Sequence, residues 1–344
     1  MVANNLKRII WGFFFFGGCF SLAVLVIAAI LSFQEPTSVS KKASEYKYLF
    51  LYSHPFMGRT YIVATNDGQS FEKVTYSFSD TPYLIKDTNN NLILPAEHMS
   101  KYYTIDDDFH KTEHALAAPY TFMIRDKHIR IESLNTSLQE NTLYITDSIF
   151  GTQSSIRLPS YLSSATYDES RIYVLNYNAE KEVNEVHVIN RKDGNVIRSY
   201  QVKDGATEML KVHDYLLLNT DGSLTRIHAD TGEISHIAYP DEAAEADKIF
   251  LVDPNTIYIT YITSSGNTGL FVLDDQFSIK KNVTFEVPYM TAQMKHGRLY
   301  VLSQTENHPQ IGGQMAIIDG KSFKIEQVIH LPNEDVKVQD FLVQ

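Results

Sequence analysis

The chain has 344 residues, 44% of them hydrophobic, with 41 acidic and 30 basic side chains and a formal net charge of -11. Its single Trp and single Cys, Trp11 and Cys19, both fall within the first nineteen positions, which excludes a disulfide framework, a cysteine zinc site and a cysteine nucleophile from everything after them. Net acidity also argues against a nucleic-acid surface, which needs clustered Lys and Arg.

Residues 1–8 read as a cytoplasmic stub and 9–33 as a transmembrane anchor, IIWGFFFFGGCFSLAVLVIAAILSF, without a charge. At ~1.5 Å per helical residue this run exceeds the ~30 Å hydrocarbon core. A cleaved signal peptide has a shorter apolar region, about 7–15 residues, and a small-residue site directly after it. Only Ser38-Val39-Ser40 approximates such a site, so an uncleaved anchor is expected. Lys7 and Arg8 lie closer to the run than Lys41 and Lys42, favouring N-in, C-out in the cytoplasmic membrane. Residues 34–45, QEPTSVSKKASE, have the composition of a flexible stalk.

From residue 46 to 344 short β-type runs alternate with turn signals, and one run recurs: LFLYS, LILPA, IRIES, IYVLN, LLLNT, IYITY and LYVLS. Counting between Phe50, Ile93, Arg130, Tyr173, Leu216, Tyr258 and Tyr300 gives spacings of 43, 37, 43, 43, 42 and 42 residues. Each run is preceded by one strand-like segment and followed by two more, with tight turns such as Asp193-Gly194 and Thr231-Gly232. Four strands every ~40–45 residues predict a β-propeller blade, and seven repeats fill the body. The tail VKVQDFLVQ repeats KVHDYLLLN at Lys211 to Asn219, so it reads as the segment that closes the ring on the first blade. The tail matches a two-strand hairpin where closure needs one strand, which leaves an eight-bladed ring as the alternative.

Arg171 to Val202, RIYVLNYN through VHVINRKDGNVIRSYQV, resembles the repeat of bacterial YVTN-type seven-bladed propellers, with Asn190 in place of the usual Asp. Partial copies at FVLDDQ and AIIDGK extend the resemblance to about four blades. It implies the fold and a surface or periplasmic setting, and carries no catalytic residue. Ala64 to Glu72, ATNDGQSFE, is similar to the Asp-box turn of sialidase-like propellers, a structural feature. Trp-dependent blade families are excluded, which leaves Tyr and Phe to fill the blade interfaces and argues against a quinoprotein dehydrogenase.

Propeller ligands bind at the face formed by loops between second and third strands, here 53–59, 97–101, 134–142, 176–184, 221–223, 263–267 and 304–313. His54, His98 and His308 lie in three of them, in blades that closure makes neighbours, and His-Pro repeats at 54–55 and 308–309. Arg59 and Tyr177 complete the expected ligand-contact set. No cofactor is expected; the alternative is a divalent metal on His54, His98 and His308. Asp106-Asp107-Asp108 with His110 and His114, and Asp87-x-Asn89-x-Asn91, read as turn chemistry rather than cation sites. No G-x-S-x-G, P-loop or H-E-x-x-H is present.

The expected function is that of a membrane-anchored extracytoplasmic module binding a protein or glycan partner. The alternative is a lactonase- or glycosidase-like hydrolase with acidic and His residues at the channel mouth. Carboxylates and His converging in one pocket would favour the second.

Overall fold

The computed structural model describes residues 39–137, 140–306 and 308–344. The stub and the apolar run 9–33 lie outside them, and among the described residues no helix is long and apolar enough to cross a membrane. Among the described residues twenty-eight strands form seven four-stranded sheets, the blades of a β-propeller. The recurring runs are the second strands from the axis: Tyr48–Ser53, Leu92–Pro95, Ile129–Ser137, Arg171–Asn178, Tyr215–Thr220, Thr256–Thr263 and Arg298–Gln304. A second strand has a sheet neighbour on each edge and a blade on each face, so its residues are buried whichever way they point. Tyr48–Ser53 is buried at all six positions, whereas the outermost strand Ile234–Ala238 alternates exposed and half-buried.

The ring holds seven blades, not eight. Its closing element is one strand, Val338–Val343, which pairs antiparallel with Tyr48–Ser53 through Tyr48 with Val343 and Phe50 with Phe341. The hairpin expected in the tail does not form. In the parent copy the chain turns at His213, with φ 47, so that Met209–Val212 can fold back on Tyr215–Thr220. At the tail the open edge of blade one offers pairing instead, so Gln339 and Asp340 stay extended, and Gln339 Nε2 donates to the Ser53 carbonyl at 3.1 Å.

Seven apolar clusters hold the ring together, one between each pair of neighbouring blades. Tyr and Phe fill them: Tyr48, Tyr52, Tyr76, Tyr103, Tyr173, Tyr261, Tyr300, Phe50, Phe109, Phe271 and Phe341 are fully buried. Tyr261 stacks on Phe271 with ring centroids 4.3 Å apart and also covers Gly269 on the paired strand. A Cβ at Gly269 would meet ring atoms of Tyr261 at 2.0–2.3 Å, so only glycine lets the ring lie flat there. A buried ion pair joins blades three and four: Arg191 Nη2 lies 2.7 Å from Asp147 Oδ2, with side-chain exposures of 5% and 0%.

Residues 40–45, read from sequence as stalk, pack on blades one and two. Ser40 donates through its amide and its hydroxyl to Glu72. Ala43, in a short 3-10 turn Ala43–Glu45, is buried, and its amide donates to the Asp107 carbonyl at 2.7 Å. The Ser44 amide donates to Asp107 Oδ1, also at 2.7 Å.

Candidate functional site

Antiparallel blades place the second-to-third loops and the blade-to-blade connections at one end of the ring, here called the loop face. First-to-second and third-to-fourth turns occupy the opposite turn face. All five residues expected from sequence belong to the loop face.

His54 and His308 each bend back on their own loop. His54 Nδ1 accepts the Phe56 amide at 3.2 Å; His308 Nδ1 accepts the amides of Gln310 and Ile311 at 3.2 and 3.0 Å. The repeated His-Pro step is therefore a loop cap, in which an imidazole nitrogen does what a side-chain oxygen does in an Asx turn. His98 turns elsewhere. Its amide donates to Asp80 Oδ2 at 2.6 Å and its Nδ1 lies 2.7 Å from Asp80 Oδ1. Asp80 is buried on the connection between blades one and two, in the left-handed region at φ 70. The hydrogen bond to Asp80, reinforced by its charge, raises the His98 pKa above the ordinary value, which favours an imidazolium–carboxylate pair.

The three histidines do not converge. Among the described residues the group with ligand atoms close enough to share an ion, within 4.8 Å, is Asp80, Glu97 and His98. Asp80 receives His98 on both carboxylate oxygens, and its carbonyl accepts the Glu97 amide at 2.9 Å. His54, Asp80, Glu97 and Gln339 line a niche of about 70 Å³ beside it, room for about two waters and too small for a substrate. Arg59 Nη1 pairs with Asp335 Oδ2 at 2.7 Å, and Tyr61 donates to Asp335 Oδ1 at 2.5 Å. Tyr177 stands apart, paired across the strands with Tyr161; both are exposed aromatics.

Sequence reading missed a second set, on and beside the innermost strands. Lys248 Nζ lies 3.3 Å from Glu208 Oε2 and 3.6 Å from Asp247 Oδ1. Tyr289 donates to Asp247 Oδ2 at 2.5 Å, and its hydroxyl meets Thr260 Oγ1 at 2.8 Å. Burial pushes the Glu208 carboxyl up against the pull of Lys248. For Lys248 burial works downward, and the charges of Glu208 and Asp247 outweigh it, so its pKa rises. Asp340, on the closing strand, accepts the Leu84 amide at 3.0 Å, and burial pushes its carboxyl up to about 6. The available signal was an acid inside an apolar strand, VQDFLV, but strand periodicity alone does not say which edge faces an axis.

A wider cleft of about 400 Å³ opens on the loop face at blades five and six, bordered by Thr207, Asn219, Asp221, Tyr239 and Glu245. Asn219 links it to the charged set: its Nδ2 donates to the Asp247 carbonyl at 2.7 Å, and its Oδ1 accepts the Tyr239 hydroxyl at 2.5 Å.

Fold and site together define an all-β seven-bladed propeller with a polar, partly charged axial lining and preordered loops at one face. No protein-family model matches the chain. In sequence it is similar to YeeG, an uncharacterised protein of Bacillus subtilis, with 29% identity over 343 residues and 98% of each chain covered. Among solved structures it is similar to a Lactobacillus plantarum protein, with TM-score 0.60 and 11% identity over 86% of this chain and 98% of that one. A putative 6-phosphogluconolactonase from Bacteroides fragilis follows with TM-score 0.58 and 12% identity, covering 87% and 98%. Virginiamycin B lyase from Staphylococcus aureus gives TM-score 0.56 and 13% identity, covering 74% and 85%. At these identities the structural likeness is one of fold.

Proposed function

We propose that the chain is a single-pass protein of the cytoplasmic membrane, N-in and C-out, whose propeller recognises a protein partner through its loop face. The charge-free run 9–33 supports the anchor, and the YVTN-type resemblance of Arg171 to Val202 supports the extracytoplasmic setting. The observation that carries partner binding is the 54–59 loop. Phe56 is 90% exposed and Met57 47% exposed at its tip, while the flanks are held by the His54 cap, the Arg59–Asp335 pair and a 3.3 Å bond from Ser79 Oγ to the Pro55 carbonyl. A large apolar side chain kept in water by an ordered loop matches an interface anchor, because its burial by a partner releases about 1.5–3 kcal/mol with little ordering cost.

A photo-reactive residue in place of Met57 is expected to form a discrete protein adduct in cells, weakened strongly by F56A and absent when the residue replaces Gln69 on the opposite face. Equal labelling at both positions, or none at 57, refutes the reading. The hydrolase alternative draws on Asp340, a carboxyl poised near 6. Lactone hydrolysis by the purified chain, abolished in D340N, would replace the binding reading.

A further inference from the structure

The turn face of blade three carries apolar side chains and cations side by side. Ile149 and Phe150, in the turn after Glu140–Asp147, are 59% and 41% exposed. The adjoining turn brings Lys127 and His128 beside them, tied by the Ser148 amide donating to the His128 carbonyl at 2.8 Å. On the other side Thr152 Oγ1, at the start of the outermost strand of blade three, donates to the Lys192 carbonyl of blade four at 2.8 Å, which sets Lys192 beside them. Lys127 and Lys192 have no ion-pair partner among the described residues. A groove of about 280 Å³ runs alongside, lined by Arg125, Lys127, His128 and Arg130 together with the carboxylates of Asp87 and Asp126. Arg125 Nε is buried there without a hydrogen-bond acceptor.

The acidic groups nearby are already engaged. Asp87 caps its own turn by accepting the amides of Asn89 and Asn91, both at 2.8 Å. Asp126 accepts the Tyr167 hydroxyl and the Lys127 amide. Glu132 lies between Arg125 and Arg130, at 2.8 and 3.4 Å. These carboxylates keep their charge but are turned to their own loops and to the arginines, so Lys127 and Lys192 stand as ammonium groups without an ion-pair partner among the described residues, beside the exposed Ile149 and Phe150.

The path of the chain says what covers it. Ser40 to Glu45 are docked at the turn face of blades one and two, next to blade three. Only residues 34–39 lie between that docked segment and the apolar run ending at Phe33, and six residues span at most ~21 Å. A folded partner of ~30 Å cannot enter such a gap. We infer that the turn face of blade three docks on anionic lipid headgroups, with Ile149 and Phe150 in the bilayer interface and Lys127, His128 and Lys192 against phosphates. This rests on the anchor reading above, and it turns the loop face, with Phe56, away from the membrane.

The test uses the full chain carrying Cys19→Ser and one new thiol, Ile149→Cys or Ala179→Cys on the opposite face, labelled with a fluorophore. The chain is added to vesicles of phosphatidylcholine alone, or mixed with phosphatidylglycerol, that contain a nitroxide-headgroup lipid. With the mixed vesicles the label at 149 is expected to lose most of its fluorescence and to regain it with K127E and K192E together, while the label at 179 stays bright. A chain that floats with both vesicle types but leaves the label at 149 as bright as that at 179 overturns the docking surface and leaves the anchor standing. Flotation with the anionic vesicles alone overturns the anchor and sustains the docking surface; flotation with neither overturns both.

Discussion

Asp340 is the residue whose ionisation should register most clearly in stability. Its carboxyl is held up to about 6 by burial, whereas in the unfolded chain it titrates near 3.8. Between those values the folded protein binds a proton that the unfolded chain has lost, so stability falls as pH rises through about 6. Two units correspond to about 3 kcal/mol, an upper figure because Asp340 is only partly buried and solvent screens its charge. The raised His98 works in the same direction, its contribution fading as pH rises through its folded value, but His98 is largely exposed and the pair is worth little. D340N, with nearly the same shape, is expected to unfold at equal or higher denaturant at pH 8 and to lose most of the gain wild type shows on acidification to pH 5. Matching pH slopes for the two proteins would rule this out. At this scale the sequence was a partial guide. It placed His54, His98 and His308 in second-to-third-strand loops, where they lie, but not their partners, because Asp80 approaches His98 only after two blades have packed.

At the scale of elements, second strands were legible because burial on both faces writes a continuous apolar run. Outer strands and loops were less so. Blade two is the thinnest, with an innermost strand of two residues, Ile85–Lys86, and a second strand of four, Leu92–Pro95. Its seam with blade three has the smallest cluster: Ile93, Ala118, Tyr120, Met123 and Leu134. Local opening follows the apolar surface buried. Hydrogen exchange is therefore expected to be faster through residues 85–95 than through the equivalent residues 171–178 and 256–263, second strands of eight residues against four here. Equal protection across all seven second strands would contradict that order. The short first interval in the repeat count after Ile93, 37 residues against 42 or 43 elsewhere, already hinted at this blade.

For the whole molecule, ring closure is the decisive contact. Val338, Phe341 and Val343 enter the cluster between blades seven and one, and Gln344 holds the entering chain by donating from Nε2 to the Tyr46 carbonyl at 2.9 Å. Deleting residues 338–344 would strip that apolar surface and leave Tyr48–Ser53 as a bare strand edge, a template for association. The shortened protein is expected to aggregate and to lose amide protection in blades one and seven first; an intact, monomeric ring of unchanged stability would refute the closure role. The repeat, the apolar run near the N-terminus, the acidic balance and the reliance on Tyr and Phe were determined by sequence alone, since each depends only on residue type and spacing along the chain. Tertiary structure decided the number of blades, the single-strand closure, the pairing of Asp80 with His98, and the gathering of Glu208, Asp247, Lys248 and Tyr289. Those features join residues from different blades, and no local pattern records which distant edge a strand will meet.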